Sequence, residues 1–319
     1  MNLLEERDYY KPFNYPWAFK YYKQQQHMHW LPDEVNLADD LRDYREKMSD
    51  GNKKLLTQIF RFFTQADVDV CCGYAKHYLP TFKQPEVRMM LSAFAAMEAV
   101  HQEAYSLLLE TLGFNDDEYQ KFFEHKEMLD KHEYLSNFGM GTPIDIAKTM
   151  AIYSAFTEGV QLFSSFAILL NFPRHNLMKG MGQIVTWSVR DETLHVEGMS
   201  HLFRVFIQEN PELWTDDLKY EIYCAAERTV ELEDAFIDLC FEGAEVPDLT
   251  AEEIKEYIRY IADRRLLGLG MKKIFGSDVN PLPWLDYMLN GVEHTNFFEN
   301  RATEYSRAST TGNWKDIFK

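Results

Sequence analysis

Glu98 and His101 stand three residues apart in the run FAAMEAVHQEAY, and Tyr105 follows one helical turn later. Counted in steps of three and four, Leu91, Phe94, Ala95, Glu98, His101, Tyr105, Leu108 and Leu109 fall in a single stripe. A carboxylate, an imidazole and a phenol therefore share an apolar helical face. Charged groups buried there without a partner are costly, so the stripe demands a counter-charge. A second E-x-x-H, Glu192 and His195, is flanked at the same spacing by Met181, Ile184, Val185, Ser188, Met199, Leu202 and Phe206. Two other segments each turn one acid inward. Asp67 shares a face with Phe60, Phe63, Thr64, Val70, Cys71 and Tyr74, and Glu158 with Ala151, Ser154, Ala155, Leu162, Phe166 and Leu169. The neighbouring acids Asp69, Glu103 and Glu197 lie off these lines.

One E-x-x-H alone is usually a surface pair, and one inward acid is usually a partnered structural group. Two E-x-x-H units and two single carboxylates on four helices are instead the ligand set of a dinuclear carboxylate bundle. Oxygen and imidazole donors suit iron or manganese, and four carboxylates offset much of the charge of two such ions. Without cations, four acids in one core would repel one another severely. The H-E-x-x-H of zinc proteases is absent, as are the glycine-rich cradles for nucleotide phosphates. The residues alone leave three chemistries open: ferritin-like iron binding and storage, dimetal oxygenation, and radical generation.

Long helices must position these groups, and the sequence predicts them. Helical period runs over Asp39–Lys47, stopping at SDGN, then Lys53–Leu79, Pro85–Leu112 and Asp116–Tyr134, with Asn115 as a cap for the last. Thr142 as N-cap and Pro143 at N1 open a helix reaching Leu170. His175–Gln208, Asp216–Phe241, Ala251–Leu267 and Pro283–Leu289 complete the set. No stretch of strand period competes, so the expected fold is all-α, a ferritin-like long-helix bundle carrying the dinuclear site over residues 1–295. The remaining residues, 296–319, are polar with isolated aromatics and read as a flexible C-terminal tail.

Composition narrows the partners. With 51 acidic against 33 basic residues the formal charge is −18, which opposes nucleic-acid binding. No membrane span and no signal peptide are read, so the expected location is cytoplasmic. Cys71, Cys72, Cys224 and Cys240 lack metal or redox spacing and read as reduced, mostly buried thiols.

Nearly the whole chain resembles the small, radical-generating subunit of class I ribonucleotide reductase. The resemblance rests on Trp30 in HMHWLPDEV, Asp67 in FTQADVDV, and Glu98, His101 and Tyr105 in FAAMEAVHQEAY. It continues through Glu158 in FTEGVQLFSSF and Asp191, Glu192 and His195 in WSVRDETLHVEGM. It implies that Asp67, Glu98 and His101 bind one metal and Glu158, Glu192 and His195 the other, with a carboxylate bridge. Oxidation at the metals would then leave a radical on Tyr105. Phe166 and Leu162 would wall its pocket, Leu162 replacing the aromatic usual in the family. The same resemblance implies a route from Tyr105 through His101, Asp191 and Trp30 to a tail tyrosine, matched by Tyr305, and on to a catalytic large subunit. A homodimer is also implied. Asp67 with a tyrosine at 105 favours a diiron centre, with Mn/Mn and Mn/Fe pairs and a flavoprotein activator left open.

Overall fold

The computed structural model describes residues 2–135 and 139–289, and within them the chain forms helices, turns and loops without a strand. Its main unit covers Met1–Pro281. A second unit, Leu282–Lys319, contains a helix over 283–289 among its described residues. The tail proposed from 296 onward, including Tyr305, lies outside the described residues.

In chain order the long elements are α1 (Pro16–His27), α2 (Ala38–Glu46), α3 (Asp50–Gly73), α4 (Pro85–Leu112) and α5 (Lys126–Leu135). They are followed by α6 (Pro143–Arg174), α7 (Lys179–Glu209), α8 (Asp216–Phe241) and α9 (Ala251–Gly268). Helices α3 and α4 pack together, α1 lies along α4, and α6 is sandwiched by α7, α8 and α9. The four acid-bearing helices α3, α4, α6 and α7 thus surround one core.

Local chemistry explains most boundaries. Ser49 caps α3 by accepting from the Asn52 amide at 3.2 Å, so Asp50, Gly51 and Asn52 begin that helix rather than ending the one before. Pro85 at N1 opens α4, and Gly113 closes it in the left-handed conformation, φ 92°. Thr142 and Asp145 form the capping box expected at the start of α6.

Elsewhere the expected helices are corrected. Asp116–Tyr134 is not continuous: short turns at Asp117–Gln120 and Lys121–Glu124 end in an extended His125 before α5. Asn115 provides no side-chain cap there. Helix α6 reaches Arg174, so α7 starts at Lys179, not at His175. Helix α1 escapes a periodicity search because its sequence, PWAFKYYKQQQH, has few apolar residues to define a stripe. Cys240 alone among the four free thiols is buried; the others are half-buried.

The largest departure is in winding. Tyr74–Tyr78 after α3, and Met150–Gln161 within α6, are π-helical. Wider π turns often mark functional sites. They also void the face argument for Glu158, because residues 150–161 are all buried regardless of side. Pro143–Arg174 is long and apolar enough to cross a bilayer, but its apolar stretch is wholly buried inside the protein.

Between α5, α6 and α8 lies a buried ion pair. Lys131 pairs with Glu233, sits 3.5 Å from the Phe62 ring centre, and donates to the Gln161 carbonyl oxygen at 3.3 Å. Glu233 also accepts from Ser164. Lys131→Ala leaves a buried carboxylate unpaired and should cost about 3–5 kcal/mol, whereas Lys131→Met with Glu233→Leu should be near neutral. Chemical denaturation of the two variants checks this, and equal losses would contradict it.

Candidate metal centre

Asp67, Glu98, His101, Glu158, Glu192 and His195 are each at most 1% exposed, and the inward acids chosen from sequence are indeed the buried ones. Two tight groups emerge, Asp67–Glu98–His101 and Glu98–Glu192–His195, each with one donor atom per residue within 4.8 Å of the others. Glu98 belongs to both. Its Oε1 lies 2.9 Å from His195 Nδ1 and its Oε2 lies 3.6 Å from His101 Nδ1. Glu192 mirrors this, 3.2 Å from His101 Nδ1 and 3.6 Å from His195 Nδ1. Both glutamates therefore straddle the two imidazoles, where the sequence reading assigned one to each half.

Glu158 stands apart from both groups. One of its oxygens accepts a hydrogen bond from the Tyr74 hydroxyl at 2.9 Å, and its Oε1 has no partner among the described residues. The two π segments set this up. Gly73 admits the Tyr153 ring, whose hydroxyl would lie 2.5 Å from an added Cβ, and Tyr78 meets Ser154 at 2.9 Å.

Both histidines are oriented from outside. His101 Nε2 lies 3.2 Å from Asp191 Oδ2, and His195 Nε2 lies 3.1 Å from Gln25 Oε1. Gln25 Nε2 then donates to Asp191 Oδ1 at 3.1 Å, and Trp30 Nε1 donates to Asp191 Oδ2 at 2.7 Å. One carboxamide and one carboxylate thus bracket both imidazoles. They favour Nε2–H tautomers and leave both Nδ1 atoms facing the glutamates, a common way of orienting ligands. Gln25 was not legible in the sequence: it is the middle of three polar residues, QQQ, on a helix without a clear stripe.

Tyr105 is 1% exposed, and its hydroxyl has no hydrogen-bond partner among the described residues. The Ser188 hydroxyl, which would favour its ionised form, donates instead to the Ile184 carbonyl oxygen at 3.1 Å. Phe63 stacks on Tyr105 with ring centres 4.7 Å apart, and Phe166 contacts Phe63 at 5.2 Å. Phe166 therefore reaches the phenol through Phe63. Leu162 is buried where the π segment ends.

Electrostatics show how far this core is from self-sufficient. Burial, reinforced by Glu98 and Glu192, drives the Asp67 carboxyl well above its usual range. Burial does the same to Glu158, again with Glu192 and Glu98 adding to it. Burial alone would also raise Glu192, but the two histidines hold it down. Burial opposes charge on the imidazoles, yet Glu192 and Glu98 raise His195 to about 10, and Asp191 with the same glutamates raises His101. Burial and the Asp67 charge raise the Tyr105 phenol.

The donor set fits a pair of metal ions. Asp67 Oδ2, His195 Nδ1 and both oxygens of Glu98 and Glu192 are buried without an aligned hydrogen bond, although their residues cluster tightly, and Glu158 Oε1, apart from them, is likewise unpartnered. Atoms that crowd one another but do not bond are aimed at a common centre, and orphaned buried groups of this number need an explanation. Carboxylate oxygen and imidazole nitrogen select iron or manganese over softer ions.

Two outcomes follow from this geometry. The His195 imidazole, raised to about 10, holds its proton at neutral pH in the metal-free chain, Asp67, Glu158 and His101 are shifted in the same direction, and ligation requires proton loss. Metal uptake at pH 7 should therefore release protons, and affinity should fall on acidification. Calorimetry in buffers of different ionisation heat measures this, and buffer-independent heats would refute it. Gln25→Leu should weaken metal binding by about 10–100-fold in a chelator competition titration. Wild-type affinity in that variant would show that the bracket is dispensable.

Comparison with known proteins shows the family. Residues 7–281 match the family model for the ribonucleotide reductase small chain. A probable ribonucleoside-diphosphate reductase small subunit of Invertebrate iridescent virus 6 is 46% identical, covering 100% of this chain and 99% of its own length. Among solved structures, the dimanganese(II)-NrdF of Streptococcus sanguinis aligns with TM-score 0.73 at 23% identity, covering 86% of this chain and 96% of that one. The ribonucleotide reductase Rnr4 homodimer of Saccharomyces cerevisiae aligns with TM-score 0.76 at 18% identity, over 95% and 92%. The two structures share the fold, and the family match with the viral relative carries the assignment: the chain belongs to the ribonucleotide reductase small-chain family, the radical-generating subunits of ribonucleoside-diphosphate reductase.

Proposed function

We propose that this chain holds two metal ions through Asp67, Glu98, His101, Glu158, Glu192 and His195, and stores a radical on Tyr105 for export to a large subunit. The observation that carries this reading is the setting of Tyr105: a buried phenol with an unpartnered hydroxyl, one turn beyond His101 and covered by Phe63. When bound, the metal pair supplies the oxidising equivalent in the presence of oxygen. The protein's part is to position and to protect. Phe63 and Phe166 keep water from the phenol, which prolongs the life of an oxidised ring. Asp67 is the acid acting most strongly on the Tyr105 hydroxyl, and its unpartnered Oδ2 is the candidate to take the phenolic proton.

Export uses the hydrogen bonds already described. From His101 Nε2 through Asp191 Oδ2 to Trp30 Nε1 the steps are 3.2 and 2.7 Å. The rings of Trp30 and His101 are also stacked, with centres 6.0 Å apart. Asp191 is held ionised against burial by His101, Arg190 and Trp30. Beyond Trp30 the route is assigned to Tyr305, in a tail (296–319) that docks on the large subunit. The family comprises dinuclear iron or manganese enzymes whose small subunit works with a large one. For this chain we assign iron, a homodimer and a cytoplasmic location, on the Asp67–Tyr105 combination and the family likeness.

Aerobic reconstitution followed by electron paramagnetic resonance and metal analysis tests the reading. The wild type should show a tyrosyl signal, and Tyr105→Phe should lose it while keeping two metals. A wild type that loads two metals yet never forms a radical would refute it. Trp30→Phe should keep the signal and lose ribonucleotide reduction with the large subunit. Deleting residues 300–319 should abolish large-subunit binding with metals retained, and full activity after deletion would remove the tail assignment.

A further inference from the structure

A cleft of about 260 Å³ lies outside the metal core, lined by Tyr21, Val196, Glu197, Ser200, Arg204, Arg264, Arg265 and Gly268. Three arginines meet there. None of them has a carboxylate partner within ion-pair distance among the described residues, although the chain carries 51 acids. Their hydrogen bonds go to neutral groups. Arg204 donates to the Gly268 carbonyl oxygen at 2.6 Å, Arg264 to the Tyr260 hydroxyl at 3.2 Å, and Arg265 Nε to the Gly159 carbonyl oxygen at 2.8 Å. Against these three stands one lining acid, Glu197, which is exposed.

Arg265 is built in rather than draped over the surface. Its guanidinium lies 4.8 Å from the Phe163 ring centre, and a Cβ on Gly159 would approach its Nε to 2.8 Å. Glycine at 159 is thus what lets the side chain press onto the π segment. Burial lowers this guanidinium only to about 10, so it stays charged at neutral pH. With Nε committed to Gly159, the rest of the planar fork remains for an acceptor, and such forks match tetrahedral oxyanions in pairs of hydrogen bonds. Like charges gathered without an ion-pair partner repel, and an anion joining the cluster relieves that repulsion.

We propose that this cleft, between α7 and α9 and beside Gly159, binds a small oxyanion of the phosphate class. Its volume is below the roughly 300–1,000 Å³ of sites that enclose drug-sized ligands, which favours orthophosphate or pyrophosphate over a whole nucleotide. Arg204, Arg264 and Arg265 supply the charge, and the Ser200 and Tyr21 hydroxyls are the neutral donors in the lining. The site is independent of the metal ligands, though it abuts the backbone on either side of them, at Gly159 after Glu158 and Val196 after His195.

Isothermal titration of the full chain with orthophosphate and with pyrophosphate at low ionic strength, metal-free and metal-loaded, tests the proposal. We expect one anion per chain in both forms, weakened about tenfold or more by Arg204→Gln with Arg264→Gln. Both residues are exposed, so the double variant should fold, and Arg42→Gln serves as the charge control. Absence of binding to the metal-free chain overturns the site. So does equal weakening by Arg42→Gln, or binding seen only with metals loaded and indifferent to the double variant, which would place the anion on the metals.

Discussion

Concentrated negative charge in a dry core is the constraint on which this structure depends. Asp67, Glu98, Glu158 and Glu192 converge from four helices, and Asp191 stands just behind them. Two imidazoles offset part of that charge, holding Glu192 and Asp191 down, and four other shifts show the deficit: Asp67 and Glu158 pushed up, His101 and His195 pulled up. Ionised groups buried at several kcal/mol apiece are retained only where a cation repays the cost. The long helices follow from this. A helix spanning the core can present an E-x-x-H at mid-length, with enough apolar burial on either side to hold the charged centre in place.

A second layer of contacts keeps the donors from collapsing onto one another. Gln25 and Asp191 take the outer nitrogens of the histidines, so their inner nitrogens cannot rotate away. Tyr74 takes one oxygen of Glu158 and leaves the other unpaired. The π winding of Met150–Gln161 delivers Glu158 from a segment buried on every side, and Tyr78 and Tyr153 fill the space beside the wider turns. Glu158, tethered to a tyrosine and outside both tight groups, keeps one unpartnered oxygen where Glu98 and Glu192 each keep two.

What could be read from sequence divides by range. The two E-x-x-H units are local, because i and i+3 must share a face on any α-helix, and Asp67 could be told from Asp69 by the same rule. The structure agrees: Asp69 is half-buried and paired with His132 and Gln65. For Glu158 the inward direction was right for a reason that does not apply, since a π segment does not keep a 3.6-residue period. Gln25 could not be found, because nothing in QQQ marks which residue will meet an aspartate 166 positions later. Phe63 was visible only as one apolar residue of a stripe, and its stacking on Tyr105 depends on how α3 and α4 cross. Trp30 and Asp191 were reached by family likeness alone, and their 2.7 Å contact gives that likeness a physical basis.

Two buried tyrosines border the acids, and their surroundings separate their roles. Tyr74 gives its hydroxyl hydrogen to Glu158, so its phenol is a structural donor whose loss of a proton would leave two negative groups face to face. Tyr105 donates to nothing and is stacked on a ring that cannot accept a proton. An oxidised phenol must shed its proton and then avoid reduction. Near Tyr105 a carboxylate acts on the hydroxyl without bonding it, and the Phe63 ring covers the phenol. Asp191 completes the asymmetry, because it touches His101 on the Tyr105 helix and the buried Trp30 indole, but not Tyr74. The same carboxylate therefore orients a histidine and holds the Trp30 indole, which ties the geometry of the donor cluster and the position of that indole to one residue.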